Sequence, residues 1–286
     1  MRIKYLTLLL LLPACFACKN HNKQIVIVPD VEKNHLQRNH IYGDAKTIVT
    51  NTYINLNEEE ADTADVSKML FSVAIQHYSP DGCLTSVVSL DADNDTLSIR
   101  KISYNGRAQQ NSWVLTDRYG NVVDSCHYDY DISGFLASEK RFSEDRLYYQ
   151  INYKTDAMGN VIEMKQDNGE FVLRNTMQYN ADGLLIRSDE YSPEDKLFKY
   201  TTIEYDNYGD EVNRRVFKRA NDIIEYTYTE YDEKGRIIAR VYEDKLKNFR
   251  ENCKYTAHDK FGNWTVEERV IGDQIINIRE RKIIYY

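Results

Sequence analysis

From residue 130 onward, one short pattern returns at almost constant intervals, and it constrains the fold more than any other feature of the chain. Its copies are Tyr130-Asp131-Ile132-Ser133-Gly134, Thr155-Asp156-Ala157-Met158-Gly159, Tyr179-Asn180-Ala181-Asp182-Gly183, Tyr205-Asp206-Asn207-Tyr208-Gly209, Tyr231-Asp232-Glu233-Lys234-Gly235 and His258-Asp259-Lys260-Phe261-Gly262. Each has Asp or Asn three residues before Gly, and the glycines are spaced by 25, 24, 26, 26 and 27 residues. Tyr78 to Gly82 and Thr116 to Gly120 read as earlier, less regular copies. An Asp or Asn side chain opens a turn by bonding its own backbone, and glycine supplies a positive φ without steric cost. A repeat of this period is the signature of a tandem array.

The segments between the turns are strand-like. Lys199 to Tyr205 and Tyr226 to Tyr231 lead into turns, and Arg236 to Tyr242 leaves one. One repeat is therefore a hairpin whose strands of about ten residues span roughly 33 Å. An apolar residue stands two after the glycine in most copies, as at Leu136, Val161, Leu185 and Ile237, while Glu211 breaks the rule. The turn tyrosine shares a face with its i−2 neighbour, as Tyr205 does with Ile203. The expected fold is all-β: an elongated, twisted and coiled antiparallel sheet of hairpin repeats, its moderately apolar face turned to the concave side. The repeat domain is placed at 41–286, with clear repeats over about 70–286. On this reading the last strand is an open edge, guarded by Arg279, Arg281 and Lys282.

The repeated Tyr-Asp-x-x-Gly units resemble the YD repeats of RHS-like proteins, and the end segment from Asp259-Lys260-Phe261-Gly262-Asn263-Trp264 to Tyr285-Tyr286 is similar to small repeat-bearing envelope lipoproteins of Bacteroidota. The resemblance implies a coiled β-sheet and, in large relatives, a shell around a cargo. This chain has too few units for a large shell. It implies as partners a protein or glycan at the cell envelope, or alternatively a toxin or secretion system.

The N-terminus is an address rather than part of the fold. Arg2 and Lys4 precede the apolar run Tyr5 to Leu12, which is too short to span a bilayer, and the chain turns polar after Cys18. Residues 1–17 read as a lipoprotein-type signal, with Cys18 as the residue that carries lipid and Cys15 as the alternative register. That implies membrane attachment through an N-terminal lipid anchor, with the outer membrane as the expected location. Residues 18–40 are polar and read as a tether.

The chain has 286 residues and a net charge of −8, or −10 without Arg2 and Lys4, which argues against a nucleic-acid partner. A mean hydropathy of −0.62 excludes a polytopic membrane protein. Twenty-three tyrosines fit a half-wet sheet. Beyond the signal, Cys83, Cys126 and Cys253 are an odd count far apart in sequence and do not read as a disulfide framework; one pair stays open, and mostly free or buried thiols are expected.

Nothing in the sequence assembles a catalytic or metal site, and neither an enzyme nor a cofactor is expected. Asp91-Ala92-Asp93-Asn94-Asp95-Thr96 starts like a calcium loop but has Thr96 and Ile102 where that loop needs Gly and Glu. Cys126 and His127 are adjacent on a strand and point to opposite faces. Cys83 with His77 lacks zinc-site spacing, and Glu58-Glu59-Glu60 reads as a solvated loop. Tyr179, Tyr205, Tyr231 and Trp264 are the candidate binding surface, because exposed rings could stack on sugars; cross-strand packing of the same rings is the structural alternative. The leading expectation is a non-enzymatic envelope scaffold.

Overall fold

The computed structural model describes residues 35–39, 41–55, 68–107, 109–170, 172–218, 222–233, 235, 237–247 and 249–286. The signal at 1–17, both candidate lipid cysteines, most of the tether and the run 58–60 lie outside these residues.

A one-turn helix, α1 (His35–Arg38), precedes eighteen strands. The first six are β1 (Ala45–Asn55), β2 (Lys68–Tyr78), β3 (Leu84–Leu90), β4 (Thr96–Tyr104), β5 (Gln110–Asp117) and β6 (Val122–Tyr130). Then come β7 (Leu136–Ser143), β8 (Arg146–Thr155), β9 (Val161–Asp167), β10 (Val172–Tyr179), β11 (Leu185–Tyr191) and β12 (Leu197–Tyr205). The last six are β13 (Glu211–Lys218), β14 (Asp222–Tyr231), β15 (Ile237–Asp244), β16 (Phe249–His258), β17 (Trp264–Ile271) and β18 (Gln274–Tyr285).

Every strand pairs antiparallel with its neighbours in sequence, and β18 returns to pair with β1 from Ala45–Tyr285 to Ile54–Asn277. The all-β class stands, but the sheet is a closed barrel and not an elongated open coil. Closure leaves the last strand no free edge. Arg279 and Arg281, read as edge guards, share the interior face of β18 with Ile283, while Lys282 alternates to the outside.

The hairpin turns divide between two rims. The turns that follow β2, β4, β6, β8, β10, β12, β14 and β16 all lie on one rim, because each follows an even-numbered strand. Thr116 to Gly120, taken as a repeat copy, turns at the opposite rim, after β5. Its place in the array belongs to Tyr104-Asn105, where Asn105 Oδ1 accepts the Arg107 and Gln109 N–H groups at 2.9 and 3.1 Å.

The tyrosine of each repeat has a specific physical task. The Tyr104, Tyr130, Tyr179, Tyr205 and Tyr231 hydroxyls donate to the Leu84, Gln110, Val161, Leu185 and Glu211 carbonyls at 2.7–3.0 Å. Each acceptor is the first residue of the preceding odd-numbered strand, so consecutive hairpins are latched together along the rim. His258 Nε2 contacts the Ile237 carbonyl at 3.2 Å in the same position. A register shift recurs where each of these strands meets its turn, as between Glu204 and Tyr205. Bulges raise local twist and bend the strand, so their repetition along one rim supplies curvature.

Residues 35–39 and 41–44 dock at this rim. Leu36, Ile41, Ala45, Ile48 and Tyr78 form a buried apolar cluster, against which Leu84, Ile283 and Tyr285 pack. The Tyr42 N–H donates to Asn263 Oδ1 at 2.7 Å, and Asn263 Nδ2 returns a bond to the Tyr42 carbonyl at 2.8 Å. The Tyr42 hydroxyl reaches the Gly235 carbonyl at 3.2 Å. Thus the last described residues of the segment read as a tether, 35–39, begin a cap on the tyrosine rim.

Candidate functional site

Away from this apolar plug the interior is mixed: buried apolar residues such as Trp113, Ile151, Ile203 and Val216 share the inner face with buried charges. Alternation along the strands points Glu139, Arg141, Glu267, Arg269, Arg279 and Arg281 inward, and Glu139 and Glu267 are 6% and 1% exposed. Buried charges must be paired and hydrogen-bonded to be tolerated.

The charges are organised as two copies of one constellation, a Cys-x-Tyr strand paired with a Glu-x-Arg strand, 127–128 residues apart in sequence. In the first, Cys126 and Tyr128 on β6 face Arg141 and Glu139 on β7. In the second, Cys253 and Tyr255 on β16 face Arg269 and Glu267 on β17. Both glutamates accept from the arginine two residues on, Arg141 Nε at 2.7 Å and Arg269 Nε at 2.8 Å. Burial pushes the Cys126 thiol up to about 11, and burial with the nearby Glu267 charge pushes Cys253 up to about 12. Cys126 and Cys253 are in no disulfide, and both are protonated at neutral pH, so neither offers a thiolate.

The third strand distinguishes the copies. In the first, β8 supplies Ile151 opposite Glu139, and the Tyr153 hydroxyl donates to Glu139 Oε2 at 2.9 Å. In the second, β18 supplies Arg279 opposite Glu267, with Arg279 Nη1 on Glu267 Oε2 at 2.8 Å, and Arg281 two residues further. The first copy has Ile151 and Tyr153 at these places, whereas the second borders a cavity of about 490 Å³ inside β13–β18. Asn39, next to α1, also lines this cavity, so the cap forms part of its boundary.

Five arginines and three glutamates line the cavity, leaving an excess of two positive charges. Arg214 is held by Glu211 through two bonds at 2.9 and 2.6 Å, and Arg269 by Glu251 and Glu267. The irregular Glu211 of the sequence pattern is therefore one of the charges on this wall. Arg240 contacts the Thr229 hydroxyl at 3.3 Å. Arg281 has no carboxylate partner among the described residues: its guanidinium lies 3.5 Å from the Trp264 ring centroid, and its Nε is buried without a hydrogen bond. Burial and the like charge of Arg279 bring its pKa down to about 10. Asn277 Oδ1, on the same face of β18, is also buried without a partner.

The other residues singled out in the sequence are placed as follows. Tyr179, Tyr205 and Tyr231 are half-buried with their hydroxyls committed to the rim latches. Trp264 is covered by Arg281 and packs against Tyr255 at 5.5 Å. These rings do not form an open row. The Oδ1 atoms of Asp156, Asn180, Asp206 and Asp259 each accept two backbone N–H groups, and Asp131 accepts that of Phe135. Gly134, Gly159, Gly183, Gly209, Gly235 and Gly262 adopt positive φ, and the Gly235 N–H donates to the Asp232 carbonyl at 2.9 Å. Asp91 Oδ1 is bound by the N–H groups of Asp93 and Asp95 in a tight turn, and no metal-ligand cluster occurs among the described residues. His127 packs edge-on against Phe142 on the outer face, away from Cys126. Cys83 accompanies the turn at 79–83, its N–H on Ser79 Oγ, while His77 Nδ1 contacts the Thr47 hydroxyl. The twin constellation and the β18 wall were missed because their members are a strand apart in sequence; the paired Cys-x-Tyr and Glu-x-Arg strings were the available signal.

No family model matches the sequence, and no curated protein does. Solved structures with similarity include the TcdB2–TccC3–Cdc42 crystal structure, with a TM-score of 0.37 and 13% identity over 77% of this chain; the match spans 14% of that much longer chain. A porin-like protein from Bacteroides uniformis has a TM-score of 0.45 and 11% identity, covering 84% of this chain and 96% of its own. A porin-like protein from Bacteroides vulgatus has a TM-score of 0.36 and 10% identity, covering 85% and 99%. At these scores and identities nothing about this chain's activity follows.

Proposed function

We propose that this protein is a lipid-anchored, non-enzymatic barrel of the bacterial envelope, whose wall is a scaffold and whose lumen is a ligand compartment. The observation that carries the reading is the distribution of charge. The interior holds a charged cavity bounded by the cap, and the outer wall is also charged at mid-strand. There Lys154 and Arg174 flank Glu163, Arg187 pairs with Asp189 at 2.7 Å, and Arg215 pairs with Glu204. A lipid-facing strand carries an apolar band at this height, and an Arg or Lys there costs ~2–4 kcal/mol at the bilayer midplane. Such a wall is suited to water, so attachment to a membrane falls to the N-terminal cysteine signal.

The reading is tested by metabolic labelling with an alkyne fatty acid and fractionation of the envelope. Lipid on the wild type, lost in Cys18→Ser or in the alternative Cys15→Ser, is the expected result. A chain that carries no lipid and sediments with no membrane contradicts it.

A further inference from the structure

We propose that the β18 wall of the cavity, centred on Arg279 and Arg281, is a binding site for a small molecule bearing an oxoanion: a carboxylate, sulfate or phosphate group. The proposal rests on the lumen being a ligand compartment and names what it holds.

Three independent observations converge. Arg281 is an interior guanidinium with a buried, unbonded Nε and no carboxylate among the described residues, while its flat face is already occupied by Trp264. Stacking fixes the plane of the guanidinium and leaves its edge as the available donor surface, and that fork matches a planar or tetrahedral oxoanion. Second, the lining charge is positive by two, with no lysine, so the excess sits on groups that cannot shed it at neutral pH. Third, the twin constellation shows what the same architecture does without a ligand. There Ile151 and Tyr153 stand where Arg279 and Arg281 stand, and Glu139 is satisfied by Arg141 and Tyr153. In the β18 copy Glu267 already uses Arg269 and Arg279, so Arg281 is one cation more than the protein neutralises. Arg240, bonded to the Thr229 hydroxyl, supplies a second positive group on the lining. A space of about 490 Å³ admits an anion of monosaccharide size with several waters.

The test is isothermal titration of the detergent-solubilised full-length protein at constant ionic strength with inorganic phosphate, inorganic sulfate and glucuronate, against chloride. Saturable one-to-one binding of at least one probe is expected, and the preferred probe distinguishes a carboxylate from a phosphate or sulfate ligand. Arg281→Met retains an apolar stem over Trp264 and is expected to weaken binding at least tenfold without lowering the melting temperature of the ligand-free protein. Tyr153→Phe, in the twin, should bind as the wild type does. The proposal is overturned if no probe binds saturably, or if Arg281→Met binds as tightly as wild type. Either result leaves the anchored-envelope reading standing, because lipid labelling and fractionation are read separately.

Discussion

Tyr205 shows what one residue of the repeat contributes. Its ring shares the inner face with Ile203, and its hydroxyl crosses to the previous hairpin to bond the Leu185 carbonyl at 2.9 Å. Removing the hydroxyl leaves a half-buried carbonyl short of a partner, so Tyr205→Phe should cost ~1 kcal/mol in urea unfolding. Tyr208→Phe, in the adjacent turn and 63% exposed, should change stability by less than about 0.5 kcal/mol. Equal effects would contradict the latch. The buried acids give a second prediction at this scale. Cys126 and Cys253 are held protonated up to about 11 and 12, and Tyr255 up to about 12, chiefly by burial. Unfolded, these groups ionise near 9.0 and 10.0. The folded state therefore binds protons more tightly, and stability that is full below pH 9 falls as pH rises through 12. Denaturant midpoints measured from pH 8 to 11 should decline; a flat profile would contradict the burial of these groups. Peptide-level alkylation at pH 8 should accordingly mark Cys83 well before either buried thiol.

At the scale of the element, the hairpin was readable because its chemistry is local. Asp206 Oδ1 collects the N–H groups of Tyr208 and Asp210, and Gly209 sits at φ +83°. Gly209→Ala should destabilise by ~1–2 kcal/mol, checked by chemical denaturation. The Tyr-Asp-x-x-Gly string identifies such turns wherever all three parts remain. It misleads at Thr116 to Gly120, whose Asp117 makes the same side-chain bonds to Tyr119 and Asn121 on the wrong rim, where no tyrosine precedes it. It overlooks Asn105, where the glycine has moved next to the Asn but the Asx bonds survive. The string therefore encodes a turn, while the tyrosine hydroxyl, where present, latches that hairpin to its neighbour; it does not set the rim, since Thr155 precedes a turn on the tyrosine rim and Tyr191 one on the opposite rim. The interior charge was not readable in this way. Whether Glu139 or Arg281 faces water or the lumen depends on strand register relative to closure, and a Glu or Arg in an alternating strand ordinarily reads as a wet face.

For the whole molecule, the decisive contact is between residues more than two hundred positions apart. No local pattern in β1 or β18 specifies their pairing, so the repeat alone was compatible with an open coil. The ring follows from the complementary edges of the first and last strands, with the recurrent rim bulges bending the sheet toward closure. Deleting 263–286 removes β17 and β18 and strips both β1 and β16 of a partner. The truncated chain should aggregate, and a soluble monomer by light scattering would contradict the ring. The most direct measurement is cross-strand disulfide trapping across the closure seam. Asn51 and Glu280 are paired residues of β1 and β18. With both replaced by cysteine and Cys83 by serine, oxidation should give an intramolecular bond in the monomer, resolved by mass spectrometry. Free thiols at positions 51 and 280, or only disulfide-linked dimers through them, would show that the two end strands do not meet.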